Sequence, residues 1–522
     1  MGPSEERAAA PHAAGAMPGA ATGAAVALGL GAFAWGLLLA PRGYAEGDGS
    51  ELTLTLATAA VPHPTGYPLY SLAGHLFVRI AHAAGMSWPA AANAWSAAGA
   101  ALAAYFLARL AGALAAERLA ASGRGGRGGP GASLPLLLAL SPLAILLAQP
   151  IWSLAATQAE VTSWHAAWVA AATWAAWRLA ARPPVAPRGA LLWGAVAGAG
   201  LAHHATSVLV SLPLTLWLAR RRSAPRSLPL LAPFLAGLAI PLASFAWVAW
   251  RAVSPAPGQW PLLEAGFDGF VAHVTGRAFG GYLGGFNPAP PEAALLLTAL
   301  PWLAVALPLL AVAAFARDAG PVRSFARALG AVAILQGAFL LAYRVPDPSW
   351  LALPLLVAGT AWVPRGLAAL TARAGVATAA LVVAAAAVAF LPSWASRDLE
   401  AKRSAEATDR IVREAWESVP FERGLVAWNN DLEPRLRAYQ LLEGSHAARV
   451  VEHPGMLSWE GPRRAFRDRM GFDPWGGGLP EREEELAARL VETAAAAGLP
   501  SLDFDDAIRF VTRTRPRSPT PR

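Results

Sequence analysis

The chain has 522 residues, of which 55% are hydrophobic and only 15% charged, with a mean hydropathy of +0.39. A soluble globular chain carries roughly 25% charged residues. The composition therefore excludes an ordinary soluble enzyme, a disordered protein and a coiled coil, and indicates a polytopic membrane protein.

The formal charge of +8 is unevenly spread: residues 1–392 hold 12 acidic and 22 basic residues, net +10, and residues 393–522 hold 22 acidic and 20 basic, net −2. A basic excess confined to the apolar part reads as positive-inside loops rather than a nucleic-acid surface, so no nucleic-acid partner is expected. There is no cysteine, which removes disulfides, thiolate metal sites and cysteine nucleophiles.

Along the chain, residues 1–20 are small and polar and are expected to be disordered. The run from Gly23 to Ala40 is too long for a signal-peptide core of roughly 7–15 residues and reads as a retained anchor. Apolar segments follow at 90–116, 133–150, 161–180, 190–203, 205–219, 227–250, 293–315, 328–343, 350–364 and 374–391. That makes about 11 transmembrane helices, several of them shorter than the ~20 residues of a full span.

Arginine sets the sidedness. With a cytoplasmic N-terminus, inner connections hold fifteen arginines, from Arg118 to Arg373, and outer connections hold four, Arg42, Arg251, Arg277 and Arg344, besides Arg79 in the 71–80 segment. The outer loop 41–88, the segment 251–292 and the C-terminal region then lie outside. Parity holds if the stretch 190–219 is two short helices turning at His203-His204, which is tolerable only beside protein or a water-filled cavity. Residues 393–512 alternate helical patterns with short apolar runs (425–428, 449–451) and read as a small extracytoplasmic soluble α/β domain. Residues 513–522 form a Pro/Arg/Ser tail expected to be disordered.

The first outer loop is the richest in chemistry. Glu46-Gly-Asp48-Gly-Ser-Glu51 packs three acids into six positions, with glycines that let the backbone bend. A carboxylate at the bilayer face can deprotonate a hydroxyl whose partner is lipid-linked, and general-base catalysis contributes roughly 10²–10⁴-fold. The plainer reading is a solvated acidic turn. Next comes Val61-Pro-His63-Pro-Thr-Gly-Tyr67-Pro-Leu-Tyr70, whose prolines impose a rigid, extended path. The following 71–80 segment reads as a surface-lying or re-entrant helix.

Glu160 stands near a helix start, either as a cap and dipole partner or facing a cavity. His203 and His204 are polar groups at membrane depth, functional candidates by default. No spacing around them completes a metal site. Phe267, Asp268, His273 and Arg277 set cations beside aromatics, a pattern suited to a sugar phosphate or to an interfacial belt. Arg344 and Asp347 add one cation and one acid on the same side.

Taken in order, the Asp48-Gly-Ser-Glu51 motif, the His63-Pro-Thr-Gly-Tyr67-Pro-Leu-Tyr70 motif, Trp152 with Gln158-Ala-Glu160, the His203-His204 pair and Val345-Pro-Asp347 resemble a bacterial polytopic membrane family. That family is related to the eukaryotic transmembrane protein O-mannosyltransferases, within the GT-C glycosyltransferases. The resemblance covers roughly residues 24–350. It implies an all-α GT-C-like membrane bundle, a polyprenyl-phosphate-linked sugar donor and a hydroxyl acceptor, protein or glycan. It also implies Asp48 as catalytic base, with Glu51 as the other candidate, and His63 and Tyr67 shaping the site. The common family motif reads Asp-Ser-Gly-Glu; here Gly and Ser are exchanged, which keeps the spacing of the acids and leaves open which one faces the acceptor.

The expected function is sugar transfer from the lipid-linked donor on the outer face of the plasma membrane. The competing readings are a transporter or flippase gated at His203 and His204, and a non-catalytic scaffold. No cofactor is identified, and the need for a divalent metal stays open.

Overall fold

In a chain this poor in polar side chains, a helix is the local structure that satisfies every backbone N–H and C=O within the segment. The computed structural model describes residues 19–45, 47–121, 134–181, 186–220, 228–284, 321–343, 349–374, 376–476 and 478–514, and it is mostly helical. The apolar segment 293–315, Arg344, Asp347 and most of both expected disordered ends lie outside the described residues.

Three described helical segments are long and apolar enough to cross a membrane: Thr22–Leu39, Trp88–Arg118 and Pro229–Val253. A fourth forms if Leu140–Leu147 and Pro150–Thr157, bent by 90° at Gln149, count as one. The eleven apolar segments are thus not eleven full spans among the described residues. Several fold as shorter helices, such as Pro187–His203, Val208–Arg220 and Ser349–Thr360. The Pro229–Val253 span turns Leu231, Leu235, Ile240 and Val253 outward, a surface suited to lipid and not to water. These spans mark a membrane protein.

The helix Pro187–His203 ends at His203, and the chain resumes as Val208–Arg220, so the break expected at the histidine pair is present. Pro187–His203 packs very closely on Leu228–Leu242. A Cβ at Gly194 would collide with the Phe234 carbonyl oxygen, and one at Gly198 with that of Leu238. Small residues at such contacts let two membrane helices approach backbone to backbone.

The loop 41–88 is not extended. It folds into Gly49–Thr58 and Pro68–Ala83. The first is buried from Gly49 to Ala57, and Thr53, Thr55 and Thr58 donate their hydroxyls to Gly49, Leu52 and Leu54 carbonyls of their own helix. Back-bonded threonines are how polar side chains survive in a buried helix. Pro68–Ala83 buries Tyr70, Gly74 and Val78 and exposes Leu76 and Ile80, the two-faced pattern of a helix lying at a membrane surface.

The boundary at 392/393 falls inside one 43-residue helix, Val376–Ser418, that continues through Pro392. Beyond it lie three short parallel strands, β1 (Gly424–Ala427), β2 (Arg449–Glu452) and β3 (Ser501–Asp503), in the order β2-β1-β3, with helices between them. β1 and β2 coincide with the short apolar runs seen in the sequence. β3, three half-buried residues, has no such signature. Tyr44 and Leu54 of the 41–88 loop share a core with Trp416, Trp428, Leu436 and Tyr439 of this region.

Candidate active site

Gly47, with φ of +57°, reverses the chain into the Gly49–Thr58 helix, leaving Asp48 at its start and Glu51 in its first turn. Asp48 is exposed, its carbonyl accepting from Leu52 N at 2.8 Å. Glu51 points inward, its side chain 8% exposed. The proline-rich loop folds back over it. His63 N donates to Glu51 Oε1 at 2.6 Å, and His63 Nδ1 meets Glu51 Oε2 at 3.0 Å. Asp48 Oδ2 lies 3.8 Å from His63 Nε2.

Tyr67 Oη lies 3.0 Å from the Pro64 carbonyl, to which it can donate, and 3.1 Å from His63 Nε2, from which it can then accept. With Nδ1 facing a carboxylate oxygen, this arrangement suits an imidazolium. The electrostatics agree: burial alone would lower its pKa, but the Glu51 and Asp48 carboxylates raise it to about 10.

Tyr67 itself sits in the left-handed region, with φ of 41°, just before Pro68 opens the next helix. That is an unfavourable backbone for a bulky residue, held here by the Pro64 contact. Its ring stacks on His204 at 5.6 Å between centroids. Trp260 and Phe279 complete a ring of aromatics about His63, at 5.9 and 6.3 Å, and Trp260 N donates to the Val61 carbonyl. The 254–284 segment is thereby fastened over the 41–88 loop.

The structure brings most of the sequence candidates together. Glu160 sits at the entry to the Thr162–Ala180 helix, where its Oε1 accepts from Val161 N and Thr162 Oγ1. Burial and the Asp48 carboxylate push its pKa up to about 7, against the His63 charge. It is a helix-entry partner and at the same time feels the acid cluster. His273 is buried beneath the loop, close to Gly66, and burial with the His63 charge lowers its pKa to about 4. His203 packs between Tyr70 and His165.

Arg277 is not drawn into the carboxylate cluster. It pairs with Asp268 through both guanidinium nitrogens, at 3.2 and 3.3 Å, on an exposed surface. Arg344 and Asp347 lie outside the described residues.

Three participants went unmarked in the sequence. His165 and Thr206 join the histidine pair: Thr206 Oγ1 lies 2.7 Å from His204 Nδ1 and 3.2 Å from His165 Nε2. Arg435 reaches the acidic turn from the far end of the chain. Only spatial neighbourhood reveals these.

Asp48, Glu51 and His63 each offer a ligand atom, all within 4.8 Å of one another. Both oxygens of Glu51 are already engaged by His63, so a metal there would have to displace that contact. Chemically the cluster offers one exposed carboxylate, one carboxylate saturated by a buried cation, and that cation itself.

Crystal structures of ArnT from Cupriavidus metallidurans resemble the chain at low identity. The form bound to undecaprenyl phosphate shows 14% identity over 94% of this chain and 88% of that one, with a TM-score of 0.44. The apo form shows 16% identity over 85% and 92%, with a TM-score of 0.46. No curated protein matches the chain at a significant level. Residues 48–227, about a third of the chain, match the family model described as the protein O-mannosyl-transferase TMEM260 N-terminal domain. The match opens at Asp48 and takes in Glu51, His63, Tyr67, Glu160, His203 and His204, and over these residues it relates the chain to that protein O-mannosyltransferase domain.

Proposed function

We propose that the chain transfers a sugar from a polyprenyl-phosphate donor to a hydroxyl acceptor, a protein or a glycan, on the outer face of the plasma membrane. Asp48 is the base in this reading. The observation that carries it is the saturation of Glu51: both of its oxygens are taken by His63, whereas Asp48 keeps an exposed carboxylate beside the same imidazolium.

In the step, Asp48 takes the acceptor hydroxyl proton. The acceptor oxygen bonds to the anomeric carbon as the bond from that carbon to the phosphate oxygen breaks, and the polyprenyl phosphate leaves with the electron pair. Cations held near the departing phosphate lower the barrier. His63 is one. Arg277, on the segment fastened over the loop, and Arg344 are the others assigned to it. Trp260 and Phe279, both half-buried, offer ring faces to the sugar, and the buried Tyr67 shapes the site behind them. His204 stacks behind Tyr67, His203 lies against Tyr70, and His273 sits beneath Gly66 of the same loop, while Glu160 holds a proton near neutral pH. The arginine distribution supports an outer-face site, a cytoplasmic N-terminus and an extracytoplasmic C-terminal α/β domain.

The test is transfer by the purified protein in detergent, where no second compartment exists. Incubation with undecaprenyl phosphate hexoses, mannose first, and a serine/threonine-rich peptide should release undecaprenyl phosphate together with a hexosylated peptide. Donors recovered intact under every pairing would contradict the transferase reading and favour transport.

A further inference from the structure

The turn that carries Asp48 is held from 390 residues away in the sequence. Arg435, fully buried, lies at the start of the Pro434–Glu443 helix. Its Nη2 donates to the Ala45 carbonyl at 2.8 Å, and its Nε reaches Ser50 Oγ at 3.4 Å. Ser50 Oγ donates to that same carbonyl at 3.1 Å. Ala45 and Ser50 flank the turn on either side of Asp48, so one planar guanidinium ties both ends together.

The surrounding contacts point the same way. Tyr44 packs edge-on against Tyr439 at 5.4 Å, and Tyr439 Oη donates to Asp409 Oδ1 at 2.8 Å. A Cβ at Gly43 would collide with Asp409, and Arg42 N donates to Glu406 Oε1 at 3.1 Å. Arg42, Gly43, Tyr44, Ala45 and Ser50 are thus gripped by the long Val376–Ser418 helix and by Pro434–Glu443. Nothing comparable is needed merely to bury a surface turn, and a buried guanidinium is an expensive way to do it.

We infer that Arg435 is a positioning residue: the C-terminal region holds the acidic turn through it and so keeps Asp48 beside His63. The inference rests on the reading of Asp48 as base. A shift of about 1 Å in a reacting group can cost about 10²-fold in rate without loss of binding. Lysine keeps the charge but lacks the fork that spans two acceptors.

The test combines kinetics with hydrogen exchange on the full-length protein in detergent, using undecaprenyl phosphate mannose and the peptide acceptor. Arg435→Ala should lower kcat by roughly 10–100-fold while donor KM moves less than about threefold. Arg435→Lys should recover only part of the loss, and Ser50→Ala, a milder cut in the same link, should lower kcat several-fold. Backbone amides of 45–52 should exchange faster in all three, with those of 68–83 unchanged. Arg463→Ala, which breaks a pair with Asp473 elsewhere in the C-terminal region, should change neither readout. If Arg435→Ala does not fold, the Lys and Ser50 variants decide. Unchanged exchange at 45–52, or kcat within about twofold of wild type in folded Arg435→Lys and Ser50→Ala, would overturn the inference. Full activity in Asp48→Asn would instead defeat the base assignment and leave the exchange result standing.

Discussion

Glu51 and His63 meet through two separate contacts: one carboxylate oxygen takes the backbone N–H of His63 and the other takes its ring Nδ1–H. Because the pair is nearly enclosed, its loss is costly. Glu51→Gln leaves a ring nitrogen and a backbone amide facing a neutral, partly mismatched group. We expect destabilisation of about 1–3 kcal/mol, read as a lowered Tm in detergent at pH 7. His63→Gln in the same background should cost less than it does alone, because the two residues share one interaction.

The pH dependence follows from His63 and Glu160. His63 has its pKa raised from 6.5 to about 10, so its contribution is fully present below 6.5 and is lost as pH rises through about 10. Glu160, raised from 4.5 to about 7, likewise favours folding below 4.5 and loses that contribution as pH rises through about 7. Tm should therefore fall between pH 7 and 10 more steeply in wild type than in His63→Gln. Glu160→Gln should flatten the profile between pH 4.5 and 7. Parallel profiles would show that neither group is perturbed in the fold.

Tyr67→Phe removes the acceptor of His63 Nε2–H and the donor to the Pro64 carbonyl. With two buried polar groups left unmatched, the expected cost is about 1–3 kcal/mol. The ring and its stacking on His204 persist, so donor KM should change less than kcat.

Arg277→Ala separates stability from binding. Its ion pair with Asp268 is exposed on both sides, so Tm should barely move. If Arg277 contacts the departing phosphate, donor KM or kcat should worsen all the same. Unchanged kinetics would remove it from the site.

How much of this the sequence disclosed depended on range. The acid motif and the His63–Tyr70 motif are local patterns, and both lie where the geometry converges. The break at His203-His204 followed from arginine parity. The Gly49–Thr58 helix was not legible, because Leu-Thr-Leu-Thr-Leu alternates with the period of a strand and becomes helical only through burial on every side. The bend at Gln149 divides what read as one apolar segment and a loop, since Pro150 suits a helix start better than a helix interior. β3 is too short to carry a periodicity. His165, Thr206 and Arg435 matter by proximity across the fold, which spacing along a chain does not encode.

The most direct measurement compares Asp48→Asn with wild type and Glu51→Gln for hexose transfer from undecaprenyl phosphate mannose, with membrane insertion and Tm checked alongside. The account predicts that Asp48→Asn folds normally and loses at least about 10²-fold in kcat, whereas the folded fraction of Glu51→Gln keeps measurable turnover. Wild-type kcat in folded Asp48→Asn, or loss of turnover only in Glu51→Gln, would contradict the assignment of Asp48 as the base.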